Sequence, residues 1–310
     1  MEYQNYGASN KQASRLGFGG WQLGNKTFWG DMDFDSGVSL VQAAIKQGIT
    51  FFDTAPGYAE GMSEMIIGAA IKNNRDQLII NSKIGHLADG STDFSVASLK
   101  SQIEASLVRL NTSYLDSVLL HNPDFAILSG KTKHFEELRK IQDLGLIKAY
   151  GVSIDTEKEL RAVLTKTDCQ VVEILFNIFF QAPSKLFDLA RKKQIALIVK
   201  VPLDSGWLSG KYDETAVFSG IRDRWSPEII KRRAALVKEL KAITKSDDLV
   251  KYALAFILSF PAVTTVIPGT KNQQQLISNL EAASFNLSET IKQKFIKLYD
   301  ELIKDQPLPW

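Results

Sequence analysis

The chain has 310 residues, 45% of them hydrophobic and 23% charged. That is a globular composition, which excludes collagen-like and disordered classes and admits either two domains of ~100–200 residues or one large α/β barrel. Lysine and arginine (37) nearly balance aspartate and glutamate (35), for a net charge of +2, so a nucleic acid is not an expected partner. The single cysteine, Cys169, excludes an internal disulfide and a thiolate metal cage, and the three histidines, His86, His121 and His134, have no ligand-like spacing. Met1 to Asn10 is polar, and no uninterrupted apolar run reaches the ~18 residues of a membrane helix. Neither a secretion leader nor a membrane partner is expected, and the expected compartment is the cytoplasm.

Short β-rich apolar runs alternate with longer segments of helical period, the pattern of parallel βαβ units. Strands are predicted in chain order at Ser14 to Phe18, Ile49 to Asp53, Leu78 to Lys83, Ser117 to His121, Ala149 to Ser153, Val171 to Phe176, Ala196 to Lys200 and Val263 to Ile267. A helix over Val38 to Gln47 is apolar at Val38, Val41, Ala44 and Ile45 and stops at Gly48. Others are predicted at Ser98 to Leu110, Phe135 to Leu144 and Pro227 to Ala242. Eight such units match a (β/α)8 TIM barrel. A doubly wound sheet would call for G-x-G-x-x-G after an early strand, but Gln22 stands where the third glycine belongs. No linker, charge block or repeat divides the chain, so residues 1–310 are expected to form one domain. Leu203 to Trp225, the longest irregular stretch, is expected to be a functional loop.

A barrel places its chemistry at the C-terminal ends of its strands, and ionisable residues cluster there. Strand two runs into Asp53 and, five residues on, Tyr58; strand three ends at Lys83; strand four ends at His121. This set suits proton transfer to an oxygen. A tyrosine, with a free pKa near ~10, needs a nearby cation to stabilise its phenolate. Lys83 would supply that charge, Asp53 would fix Lys83, and His121 would hydrogen-bond and polarise a carbonyl. None of them donates hydride, so a redox cofactor is implied.

The segments FFDTAPGYAEGMSE, NSKIG, LLHNPD, GVSID, LFNIFFQ, PLDSGWLSGKY and VIPGTKNQQQLISN together resemble the aldo-keto reductases over nearly the whole chain. The resemblance implies a nicotinamide-dependent barrel enzyme acting on a small carbonyl or alcohol substrate, with Asp53, Tyr58, Lys83 and His121 as its catalytic tetrad. It implies that Pro202, Leu203, Ser205 and Gly206 cover the pyrophosphate and that Ser153 and Asn177 orient the nicotinamide end. Gln275 and Asn279 would face the adenine. Gly269, Thr270 and Lys271 follow the last strand and open a helix, where N–H groups and the Lys271 ammonium would receive a ribose phosphate. Gly20, Trp21 and Lys211 complete the expected cofactor set. Three positions depart from the family's pattern. Glu173 replaces a glutamine, Lys200 replaces the aromatic residue that stacks under the nicotinamide, and Gln275 replaces the arginine that grips a 2′-phosphate. NADP is therefore expected over NAD on Lys271 alone.

Blander roles are expected elsewhere. His134, among Lys131, Lys133 and Glu136, and the basic run Lys231-Arg232-Arg233 read as solvated helix faces; His86 is assigned no role, and Cys169 reads as inert. Gly206 to Tyr212 has one residue too few for a P-loop, and Gly151 to Asp155 lacks the last glycine of a nucleophile elbow. Trp21, Trp29, Phe125 and Trp225 are candidates for lining an aromatic pocket. Two other readings stand beside the reductase. One is a nicotinamide-binding regulatory barrel resembling potassium-channel beta subunits. The other is an unrelated barrel lyase or isomerase with Lys83 as a Schiff-base amine.

Overall fold

A computed structural model describes residues 1–7, 9, 11–26, 30–220 and 223–309 of the chain. Trp29 lies outside the described residues. An antiparallel hairpin, β1 (Tyr3–Asn5) and β2 (Gln12–Ser14), comes first. It is followed by β3 (Phe18–Gly19), β4 (Phe51–Asp53), β5 (Ile79–Ile84), β6 (Ser117–His121), β7 (Tyr150–Ile154), β8 (Val171–Leu175), β9 (Ala196–Lys200) and β10 (Val263–Val266). These eight strands form one parallel sheet in sequential order. The sheet curls until its edges meet: Gly17 donates to the Val266 carbonyl at 2.8 Å, Val266 donates to Arg15 at 3.0 Å, and Gly19 bridges to Gly269. This is the (β/α)8 barrel that the strand count predicts.

The period-2 alternation of each strand sorts its side chains. Phe52, Ile80, Val118, Val152, Val172 and Leu197 face the helices, whereas Phe51, Ile79, Leu119, Val171 and Ile198 fill the barrel interior. Extending the inward set by two residues toward the strand ends reaches Asp53, Asn81, His121, Glu173 and Lys200, and by four residues along β5 reaches Lys83. Gly151 permits the β7–β8 pairing, because a Cβ there would lie 1.7 Å from the Val171 carbonyl oxygen.

The helices follow their end signals. Asp33 caps Phe34–Lys46 by accepting from the Ser36 amide, and Gly48 turns the chain at φ +86°. Thr156 and Glu159 form a capping box on Glu157–Lys166, and Ser226 caps Pro227–Thr244. No helix among the described residues is long and apolar enough to cross a membrane.

The structure corrects five expectations. The run Ser14 to Phe18 is not one strand: Ser14 pairs with Tyr3 in the hairpin, and the barrel strand starts only at Phe18, after the chain has crossed from one sheet to the other. His134 is buried, with Nε2 2.6 Å from the Phe94 carbonyl and Nδ1 2.8 Å from the Thr132 hydroxyl. Arg233 is fully buried, its Nε donating to Asp204 at 2.9 Å and its Nη2 to the Pro309 carbonyl at 2.9 Å. Trp225 is buried and does not line the cavity at the strand ends; it packs on Trp207 and Phe218, with ring centres 6.0 and 4.9 Å away. Phe125 is also away from the mouth, half-exposed beneath the Lys158 ammonium.

Candidate active site

The inward residues at the C-terminal strand ends converge beside a cavity of about 830 Å³. Lys83, fully buried, lies at its base. Its Nζ donates to both oxygens of Asp53 at 2.7 Å, to the Thr54 carbonyl at 3.1 Å and to the Tyr58 hydroxyl at 3.2 Å, and lies 3.3 Å from Glu173. Tyr58 starts a 3-10 turn in which Ala59, Glu60 and Gly61 all have left-handed backbone, at φ 49°, 56° and 86°. Such a reversal is costly for non-glycine residues and is held by its surroundings. Here it directs the phenol back over Lys83.

The four expected catalytic residues are thus brought together. Burial pushes the Tyr58 phenol up, and Lys83 pulls it back without cancelling the rise, which Asp53 and Glu173 reinforce. Burial thus keeps the Tyr58 phenol protonated. Burial opposes the Lys83 charge, but the carboxylates of Asp53 and Glu173 outweigh it and hold the ammonium. Burial and the Glu173 charge raise Asp53 against Lys83 and Asn81; burial also opposes the Glu173 charge, but Lys83 and Lys200 bring that carboxyl down. The His121 ring stands edge-on to Tyr58, 6.2 Å between centres, and to His86, 5.1 Å away. Burial, then Lys83, Lys200 and His86, push its pKa well below the usual value, so the imidazole is neutral, with no partner on Nδ1 among the described residues.

That shift predicts a pH dependence. An unfolded histidine takes up its proton near pH ~6.5, and folded His121 resists it, so acid favours the unfolded chain. His121 therefore contributes stability above about pH 6.5 that is lost as pH falls toward its folded value, at most ~1.4 kcal/mol per pH unit. In urea unfolding at pH 7.5 and 5.5, His121→Phe should lose less stability on acidification than the parent; equal losses would contradict the burial effect.

Of the expected cofactor residues, Trp21, Glu173, Lys200, Pro202, Leu203, Ser205, Gly206, Lys211, Gly269, Lys271 and Gln275 line the cavity. Gly20, Ser153, Asn177, Thr270 and Asn279 stand behind the lining. Gly20 lets its turn approach β4, since a Cβ would lie 2.6 Å from the Asp53 carbonyl. Asn177 donates to the Val201 carbonyl at 3.0 Å, and Asn279 donates to the Thr270 hydroxyl at 3.2 Å. Ser153 donates to Glu173 at 3.0 Å and accepts from Lys200 at 2.9 Å, while Lys200 pairs with Asp155 at 2.9 Å. The Lys200 ammonium therefore has an opposite charge beside it in Asp155. Val201, Asp204, Ser205 and Gly206 have φ of 53°, 45°, 53° and 103°, a preset crank along the cavity rim. Sequence reasoning missed His86, Asn122, Asp155 and Arg224, which also line the cavity.

The donor set fits a nicotinamide dinucleotide. A neutral histidine, His121, and a neutral tyrosine, Tyr58, line the cavity. Lys211, Arg224, Lys271 and Gln275 line it as well and would suit phosphates, beside a helix start at Gln273 whose cap is Asn272.

Fold and site define an oxidoreductase barrel that works on carbonyl and alcohol groups. The chain belongs to the aldo/keto reductase family, whose sequence profile matches residues 15–300. It is 28% identical over 319 aligned residues to the aldo-keto reductase YhdN of Bacillus subtilis, covering 98% of this chain and 96% of the relative. It is 27% identical to an Escherichia coli protein named NADH-specific methylglyoxal reductase, covering 91% and 94% of the two chains. Among solved structures, the holo form of aldo-keto reductase AKR11C1 from Bacillus halodurans superposes with a TM-score of 0.80 at 25% identity, covering 96% of both chains. Members of this family use nicotinamide cofactors.

Proposed function

We propose that the protein reduces small aldehydes or ketones with NADPH, Tyr58 supplying the proton. The observation that carries this reading is the Lys83 ammonium held between Asp53, at 2.7 Å, and the Tyr58 hydroxyl, at 3.2 Å, beneath the cavity. The bound nicotinamide would supply hydride for the carbonyl carbon. Tyr58 and neutral His121 would hold the carbonyl oxygen, His121 by donating a hydrogen bond from its ring. As the C–O π bond breaks, the Tyr58 O–H proton moves to that oxygen and leaves a phenolate. Lys83 meets the phenolate charge, and Asp53 keeps Lys83 in place. The carbonyl carbon gains two electrons and one hydrogen, the oxygen gains a proton, and an alcohol results.

Preference for NADPH rests on Lys271, with Arg224 also lining the cavity. One relative bears the name NADH-specific methylglyoxal reductase, so the cofactor choice is to be tested at such side chains. Titrating NADPH and NADH into the protein should show tighter NADPH binding, and Lys271→Ala should weaken NADPH about tenfold or more while changing NADH by about twofold or less. Equal losses would remove Lys271 from the 2′-phosphate. A panel of aldehydes, ketones and sugars, followed by loss of reduced-cofactor absorbance, tests the reaction itself. Binding without turnover would move the protein to the regulatory reading. The Schiff-base reading is disfavoured because the Lys83 amine is spent on Asp53, Thr54 and Tyr58 and does not line the cavity.

A further inference from the structure

Barrel interiors of this kind are filled mainly by branched apolar side chains, and here Phe51, Ile79, Leu119 and Val171 follow that rule. One row breaks it. Asp53, Asn81 and Ser117 are direct register partners across β4, β5 and β6, each at 2% exposure or less. Because strands tilt against the barrel axis, such a row descends from mouth to floor. At its lower end it meets Tyr6, carried by the β1–β2 hairpin, 2.6 Å from the Ser117 hydroxyl.

The donors along the row are fixed by chemistry. An Asp53 carboxylate only accepts, so the Asn81 atom 2.7 Å from its Oδ1 is the amide nitrogen. The Asn81 oxygen then faces Ser117, whose hydroxyl donates to it at 2.5 Å. With that proton committed, Ser117 accepts from Tyr6, whose phenol burial keeps protonated. We propose that Tyr6, Ser117 and Asn81 are positioning residues, the two hydroxyls locking the Asn81 amide with its N–H toward Asp53 so that Asp53 stays the carboxylate that anchors Lys83 under Tyr58. The proposal rests on the reading of Tyr58 as the acid.

The groups facing Asp53 are Lys83 from β5, Glu173 from β8, Tyr58 from the turn after β4 and Tyr6 from the hairpin. Glu173 opposes a charge on Asp53, whereas Lys83 and the Asn81 N–H favour it. Losing the amide donor therefore favours protonated Asp53 and moves the acid limb of turnover to higher pH. A hydrogen bond to a charged group accounts for a displacement of about one pH unit or more.

The test follows kcat against pH with NADPH and methylglyoxal, together with the infrared band of the protonated carboxyl, assigned through Asp53→Asn. In Asn81→Leu, both the acid limb and the infrared titration should move up by about one pH unit, with KM within about twofold. Ser117→Ala and Tyr6→Phe should move them less in the same direction, and Ser117→Thr, which keeps a hydroxyl, should restore the parent profile. In the Asn81→Leu background neither Ser117→Ala nor Tyr6→Phe should add anything. An unmoved infrared titration in Asn81→Leu, or a Ser117→Ala shift that survives in that background, overturns the proposal. If Asn81→Leu does not fold, Tyr6→Phe carries the same infrared test, since it removes one hydroxyl and keeps the ring on Phe51, 5.6 Å away. The infrared readout needs no turnover. A band that moves in a protein whose Tyr58→Phe variant is fully active leaves the row standing and removes only the acid–base reading.

Discussion

Tyr58→Phe should lower kcat for carbonyl reduction by roughly 10²–10⁴-fold, the usual contribution of a positioned proton donor, while leaving the NADPH Kd within about twofold. The substitution deletes one oxygen and keeps the ring. That oxygen is the one Lys83 approaches at 3.2 Å, and the ring edge meets His121 with centres 6.2 Å apart. The cofactor's phosphate end would lie along Lys211, Arg224 and Lys271, none of which the change touches. Stopped-flow hydride transfer separates the two effects: binding should be preserved and the chemical step slowed. A variant turning over at near the parent rate would show that the proton comes from elsewhere, and His121 would then be the group to replace.

Arg233→Met should cost about 3–5 kcal/mol, because it strands Asp204 in a dry interior. Arg233 and Asp204 are both fully buried and meet at 2.9 Å. The same guanidinium lies 5.0 Å from the Trp225 ring centre and donates to the Pro309 carbonyl, so one side chain ties the loop, the helix and the tail together. Burial already raises the Asp204 carboxyl against the pull of Arg233. Once Arg233 is gone, Asp204 takes a proton, which limits the loss. The expected fall in Tm is about 5–15 °C, and Asp204→Asn added to Arg233→Met should recover part of it. Because Asp204 begins the Asp204–Ser209 turn on the cavity rim, NADPH should also bind more weakly. An unchanged Tm would mean that the pair contributes no more than an apolar contact would.

The sequence made the barrel legible through strand spacing, and the chemistry through what stands at strand ends. Asp53, Lys83 and His121 each lie in phase with an inward apolar residue two or four places earlier, Phe51, Ile79 and Leu119, so their direction was readable. Arg233 was misread because its neighbours Lys231 and Arg232 are charged. Yet it shares a helical stripe with Leu236, Val237 and Leu240, at i+3, i+4 and i+7, which are buried with it. His134 stands in the same relation to Leu138 and Ile141. A period count weighted above local charge would have found both. Arg224 carried no such signal: it sits in irregular chain, and its place on the cavity depends on how the Trp207, Phe218 and Trp225 cluster folds. Asn81 and Ser117 lay on the inward phase of their strands, but their partnership depends on register between strands, which a single sequence does not display.

Closure of the barrel couples distant parts of the chain. Gly17 bonds to Val266, and the Arg15 guanidinium donates to the Val263 carbonyl, 248 residues on. During synthesis the seam therefore cannot form until β10 has left the ribosome. Contacts of such long sequence separation slow folding and prolong exposure of unpaired strand edges. A nascent chain halted before residue 263 would present an unsealed barrel, because Gly17 and Arg15 would lack their partners on Val266 and Val263.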